Sequence, residues 1–253
     1  YFSPLTLLSK MKKVIFIFLF SAFLNVNAQE NKQSAFTFNY SYQIPTADLA
    51  KTFGSNSAVG ASYFLETGRN IFSGIEGNYM FGNNVKDSTL FDNISTSTGG
   101  IIDAAGHYAN INLLQRGFDA HIFAGYAFHF TENNLSGIYL SQGFGYMQHQ
   151  IFIDTKNQNI PQLNEEMKKG YDRFSNGFST KFSADYKYYH KKGKFQISSG
   201  VNYTMAYTKI QRAYDFANKE HYSSKRKWDQ LLGFKVEVII PIHRKNEEEF
   251  HYY

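Results

Sequence analysis

GFKVEVIIPI, residues 233–242, is rich enough in Val and Ile to be a strand, yet Lys235 and Glu237 stand in its middle. Successive strand side chains point to opposite faces. Phe234, Val236, Val238, Ile240 and Ile242 therefore share one side, and the two opposite charges share the other. A strand buried on both faces would not carry that pair. A wall with an apolar exterior and a confined polar interior would, so the question is whether the rest of the chain repeats the pattern.

It does. Strict alternation marks a half-buried strand, and eight segments show it: residues 34–43, 58–67, 71–82, 116–130, 137–154, 177–189, 195–208 and 228–242. In the first, Phe36, Phe38, Tyr40 and Tyr42 oppose Thr37, Asn39 and Ser41. In the sixth, Phe178, Phe182, Tyr186 and Tyr188 oppose Ser179, Lys181, Ser183 and Asp185. The fifth is ambiguous in register over residues 142–150, and a bulge is expected there. Connections alternate between short (68–70, 131–135, 190–194) and long (44–57, 83–115, 155–176, 209–227). Short turns on one side and large loops on the other are the pattern of a transmembrane barrel.

The start of the chain agrees. Lys12 and Lys13 precede an eleven-residue apolar core, Val14 to Leu24, and Val26-Asn27-Ala28 forms a small-residue cleavage site. Residues 11–28 read as a secretory signal peptide, too short in its apolar run to span a bilayer, which takes about 20 residues. Residues 1–10 precede the positive region and read as over-extended translation. The barrel is expected over residues 29–242, with residues 243–253 as a periplasmic tail. There is no Cys, so neither a lipidated Cys nor a disulfide is available. A formal net charge of +5 over 253 residues is mild and gives no reason to invoke nucleic acid.

Volume decides which face is inside. An eight-stranded barrel has a lumen just wide enough to be filled by side chains. The chain has 25 Phe and 19 Tyr, and the alternating face that carries them is too bulky for that space. The other face, mostly Gly, Ala, Ser, Thr and Asn, suits it. The expected fold is an all-β, eight-stranded antiparallel up-and-down barrel with the aromatic face toward lipid. A soluble lipocalin-like barrel is the alternative.

On these residues the chain resembles the small outer-membrane β-barrels of the OmpA/OmpX-like class, particularly those common in Bacteroidota. The resemblance rests on the Lys-Lys signal ending in Asn27-Ala28-Gln29, the eight segments, the runs RGFDAHIFAGY (116–126) and KGYDRFSNGF (169–178), and the aromatic close Phe250-His251-Tyr252-Tyr253. It implies fold, outer-membrane location, surrounding lipid and handling by the barrel-assembly machinery, and hardly any activity. Members commonly end on the last strand, whereas eleven residues follow Ile242 here. Either that strand runs on or a tail hangs free.

Two constellations carry chemistry. Glu76, Arg116, Asp119, His121, Lys181, Asp185, Lys235 and Glu237 are expected as a lumen charge network, paired because isolated charges in a narrow, dry space are costly. The expected role is a plug that fixes register, against a conducting or proton-handling path as the alternative. Lys209, Arg212, Lys225, Arg226 and Lys227 make the last long loop basic, and such a rim could meet lipopolysaccharide phosphates. Outer-membrane acyltransferases and deacylases resemble this architecture, but His107, His149, Ser175 and Ser223 are loose candidates that no motif unites. His121 and His129 lie eight residues apart, about 26 Å along a strand, too far to share a metal. No cofactor or metal is expected. The expected role is structural, adhesive or accessory, without catalysis; a lipid-modifying enzyme and an accessory subunit of a secretion or uptake machine are the rivals.

Overall fold

The computed structural model describes residues 31–67, 69–87, 89–131, 134–190, 195–221 and 226–244. Eight long strands are present: β1 (Asn31–Ala47), β2 (Asn56–Thr67), β3 (Ile71–Gly82), β4 (Asn112–Thr131), β5 (Asn134–Asp154), β6 (Ser175–Tyr188), β7 (Gln196–Ile210) and β10 (Lys227–Arg244). They close into an antiparallel barrel in the order β1-β10-β7-β6-β5-β4-β3-β2. Between β7 and β10, the two-residue strands β8 (Tyr214–Asp215) and β9 (Glu220–His221) pair as a small hairpin. The last strand runs two residues past Ile242, to Arg244. The signal peptide and residues 245–253 lie outside the described residues.

Closure requires a stagger. The pairing runs from Thr37 through Ser62, Glu76, His121, Gly145, Ser179, Ala206 and Asp229, then returns to β1 at Ala47, ten residues further on. Ten residues of stagger over eight strands tilt each strand by about 45° from the barrel axis. The tilt brings residues distant in sequence to one height inside the lumen.

Burial is inverted relative to a water-soluble protein. Phe38 is 56% exposed, Ile75 59%, Ile122 71% and Val236 55%, while Thr37, Asn39, Asp119, Lys181 and Glu237 on the other face are buried. A soluble lipocalin-like barrel would bury the aromatic face.

The fifth strand corrects one expectation. Its pairing with β4 is unbroken from Asp154 to Gly137, and the irregularity falls instead beside the turn, between His129 and Thr131. There is no bulge over residues 142–150. The pattern is ambiguous there because polar Gln142 and Gln148 point outward while Tyr139, Met147 and Ile151 point inward and are buried.

The long connections fold into a cap. Helix α1 (Leu49–Thr52), a 3-10 turn (Pro161–Leu163) and helix α2 (Glu165–Lys168) lie within it. Asn164 starts α2, its side chain accepting from the amides of Glu166 at 3.1 Å and Met167 at 2.8 Å. Leu49, Phe53, Leu90, Ile101, Ile160, Leu163 and Tyr171 share one buried cluster with Met80, Met147, Ile151 and Leu231 of the barrel wall. The apolar core of the loops is thus continuous with the upper lumen. Asn93 ties two loops by donating to the Phe216 carbonyl at 3.0 Å.

Candidate functional site in the barrel lumen

The inward face is layered. In the middle, Lys181 on β6 places its ammonium 2.9 Å from both Glu76 and Asp119. Asp119 also accepts from Asn78 at 2.8 Å, and Asn78 in turn accepts from Asn39 at 3.1 Å. Lys235 on β10 lies 3.1 Å from Asp185 and 2.9 Å from Glu237. Each ammonium therefore stands between two carboxylates. The space left between the two groups is about 30 Å³, lined by Glu76, Lys181, Asp185, Lys235 and Glu237. That admits a water or two.

Above this layer the lumen turns apolar and merges with the cap. There His149 Nε2 lies 2.9 Å from Asp229 Oδ2, which also accepts from the Thr208 hydroxyl. The Phe53 ring from the cap meets the imidazole edge-on at 5.6 Å. Below the charges the lumen is aromatic. Phe64, Phe72 and Tyr139 are buried together with Tyr189, and Phe123 packs against them. Lys187 puts its ammonium 3.8 Å from the Phe64 ring centre and 4.4 Å from that of Tyr139. No carboxylate lies within ion-pair distance of it among the described residues. Glu66 is held by Tyr139, whose hydroxyl donates at 2.9 Å, and by His129 Nε2 at 2.9 Å.

Glycine makes room for this lower layer. A Cβ on Gly125 would stand 2.1 Å from the Leu140 carbonyl oxygen and 2.6 Å from the Phe72 ring. The rings enter the lumen only because inward positions beside them carry no side chain. Aromatic residues on the inward face depart from the small, polar lumen expected along its whole length.

Seven of the eight expected lumen charges face inward. Arg116 does not. It has the parity of Phe118 and Ile122 on β4, points out of the barrel, and rests its guanidinium 5.7 Å from the Phe152 ring centre. Charge alone suggested an inward position; alternation along β4 places it outside.

A further grouping crosses strands. His121 Nε2 lies 2.8 Å from Ser179 Oγ, and its Nδ1 lies 3.1 Å from Asp119 Oδ1. Asp119, His121 and Ser179 thus have the connectivity of a hydrolytic triad. Catalysis also needs a place for the reacting carbonyl about 3 Å from nucleophile and oxyanion donors. Ser179 is fully buried, and the small lumen cavity does not reach it. Ser179 here hydrogen-bonds the imidazole. Ser179 escaped sequence reasoning because β4 and β6 are not neighbours; correct register and the barrel tilt would have brought the pair together.

Glu76, Asp119 and His121 also offer three metal-ligand atoms within 4.8 Å of one another. Lys181 already stands 2.9 Å from both carboxylates, so a positive charge is in place there. The two carboxylates of the trio serve as counter-ions to that ammonium.

At the rim, His107 is exposed, with its backbone amide donating to Asp103 at 2.9 Å. Ser175 pairs with His149 in register, but its hydroxyl donates to the Arg173 carbonyl at 2.9 Å. Ser223 and Lys225 lie outside the described residues. In the basic loop, Arg212 is engaged by Asp172, with Nε donating at 2.9 Å, so its charge is matched. Arg226 lies over Tyr207, 5.1 Å from the ring centre. Lys209 is half-buried at the end of β7, and Lys227 is exposed.

No protein-family model matches the chain, and no curated protein does. Among solved structures it is similar to Ail, the attachment invasion locus protein of Yersinia pestis, crystallised with the heparin analogue sucrose octasulfate. That match has 10% identity and a TM-score of 0.42, over 85% of this chain and all of Ail. Neisserial surface protein A is similar at 13% identity and a TM-score of 0.40, over 83% of this chain and 99% of that one. OprG, an outer-membrane protein of Pseudomonas aeruginosa, matches at 11% identity and 0.39, over 85% and 98%. These likenesses are of architecture alone.

Proposed function

We propose that the chain is an outer-membrane barrel that neither conducts nor catalyses, and that works through its folded outer cap. The observation that carries this reading is the inversion of polarity: an exposed apolar belt surrounds a closed ring whose charges are buried, with those of its middle layer paired. On β4 the belt runs from Phe118 to Phe130, about 40 Å along the strand and about 28 Å along the axis after tilt. The apolar band of an outer-membrane barrel is about 25 Å tall. A spanning sheet must also satisfy every backbone group internally, which closure achieves.

Three stacked layers support a closed lumen: apolar under the cap, paired charges in the middle, aromatic rings below. Residues 11–28 are the proposed export signal, the barrel-assembly machinery the proposed partner in biogenesis, and lipid the proposed surroundings. The cap is the proposed contact surface for macromolecular partners, in a structural, adhesive or accessory role. Arg226 and Lys227, with Lys225, are a proposed contact for lipopolysaccharide phosphates. Neutralising all three is expected to weaken that binding; unchanged binding retires the contact.

The absence of native Cys offers a clean test of placement. A membrane-impermeant maleimide added to intact cells is expected to label Thr98→Cys in the cap and to leave Asn70→Cys in the opposite turn unlabelled until the envelope is opened. Equal labelling of both in intact cells would contradict the reading.

A further inference from the structure

The outer wall carries one built feature that the belt does not explain. On β4 the outward residues run Phe130, Phe128, Tyr126, Ala124, Ile122, Ala120 and Phe118, then Arg116 and Leu114; on β5 they run Ile138, Leu140, Gln142, Phe144 and Tyr146, then Gln148, Gln150 and Phe152. The two strands bring Arg116, Gln148 and Gln150 together on the outer wall, because Arg116 pairs with Gln150 and Phe118 with Gln148, and Leu114 and Phe152 follow beyond them. At that height a groove of about 420 Å³ opens on the outside of the barrel, lined among others by Tyr79, Arg116, Phe118, Gln148, Gln150 and Phe152. This is the size of a small-ligand cleft.

Arg116 has no carboxylate within ion-pair distance among the described residues, unlike Arg173 and Arg212, which are paired with Asp87 and Asp172. Its guanidinium rests beside the Phe152 ring. Below it stand Phe118 and Tyr79, 40% and 46% exposed. A cation beside exposed rings, toward the cap end of the belt, matches an amphiphile with an anionic head and an apolar tail. Guanidinium binds phosphate through two parallel N–H donors, and the Gln148 and Gln150 carboxamides supply neutral donors beside it.

We propose that this groove holds the phosphate-bearing headgroup of an outer-leaflet lipid, with its acyl chains lying down the rings of Phe118 and Tyr79. The proposal rests on the belt spanning the membrane. It places the site on the barrel wall, apart from the basic loop.

The test uses the full mature protein in detergent micelles, with binding followed by native mass spectrometry against diphosphorylated lipid A, its dephosphorylated form and inorganic phosphate. Wild type is expected to bind the phosphorylated lipid at least ten-fold more tightly than the dephosphorylated one, and Arg116→Gln to lose that preference. Millimolar inorganic phosphate is expected not to displace the lipid. Equal binding of both lipids by wild type, or an unchanged preference in Arg116→Gln, would overturn the site. Displacement by inorganic phosphate would overturn its assignment to a lipid. Heat-modifiable gel mobility of both proteins after insertion into vesicles is read alongside. Failure of wild type to insert would overturn the membrane reading itself, whereas normal insertion with lost preference bears on the site alone.

Discussion

Lys181 and Lys187 lie six residues apart on the inward face of β6, and both are buried. Lys181 stands between Glu76 and Asp119; Lys187 stands among Phe64, Phe72 and Tyr139 with no carboxylate in ion-pair range among the described residues. The same side chain is thus accommodated in the lumen in two ways. In the middle layer the space is filled by opposite charges that each need the other. In the lower layer it is filled by ring volume, and the ammonium is held by ring faces and its aliphatic stem. The difference teaches where the barrel is brittle. Removing one member of a buried ion group strands its partners, whereas removing a cation from an aromatic box strands none.

The largest expected effect follows directly. Lys181→Met leaves the Glu76 and Asp119 carboxylates without their cation, at a cost of about 3–5 kcal/mol. Folded barrel, read by the heat-modifiable gel band against urea, is expected to be lost at clearly lower denaturant. Lys187→Met is expected to cost about 1 kcal/mol or less, since the rings accept a thioether of similar length. Equal losses for the two variants would break the distinction between the layers.

Next comes the aromatic layer itself. Gly125→Val forces a branched side chain against the Leu140 carbonyl and the Phe72 ring. Overpacking of that kind costs about 1–3 kcal/mol, read by the same band shift. A neutral Gly125→Val would mean that ring volume does not fill the lower lumen.

The cap responds more locally. Asn164→Ala removes the side chain that receives two amides at the start of α2, worth about 1 kcal/mol to that helix. Faster proteolytic nicking within residues 155–174 is expected, with the barrel band unchanged.

The smallest effect concerns the junction of cap and wall. Lys51, and then the Trp228 amide that donates to it, hold the Asp48 carboxyl below its usual range. A depressed carboxyl contributes stability above its unfolded value and loses it as pH falls through the folded one. The Trp228 amide resonance is therefore expected to titrate with a midpoint below about 3.9, the ordinary value for Asp. A midpoint at or above that value would remove the interaction.

Much of this architecture is legible before any coordinates. Alternation in residues 34–43 and 177–189 settles which face Lys181 and Asp185 occupy, because a one-residue slip would send every aromatic ring inward. Other parts are not legible, for physical reasons. Phe64, Phe72 and Tyr139 obey the alternation but are apolar on the inward side, so hydropathy does not distinguish their face. Ser179 and His121 meet only through strand tilt, which one strand's sequence does not express. Arg116 is the converse case. Its parity was readable, but its charge suggested the lumen.

Ser179 offers a secondary check. A fluorophosphonate probe is expected to leave it unlabelled, since no path reaches its hydroxyl; labelling lost in Ser179→Ala would contradict a purely structural role.

The central claim is that paired charge, capped above and packed with rings below, leaves no path through the barrel. Purified wild-type protein inserted into a planar bilayer under voltage is predicted to show no single-channel steps. Stable, reproducible steps from the wild type would contradict the account.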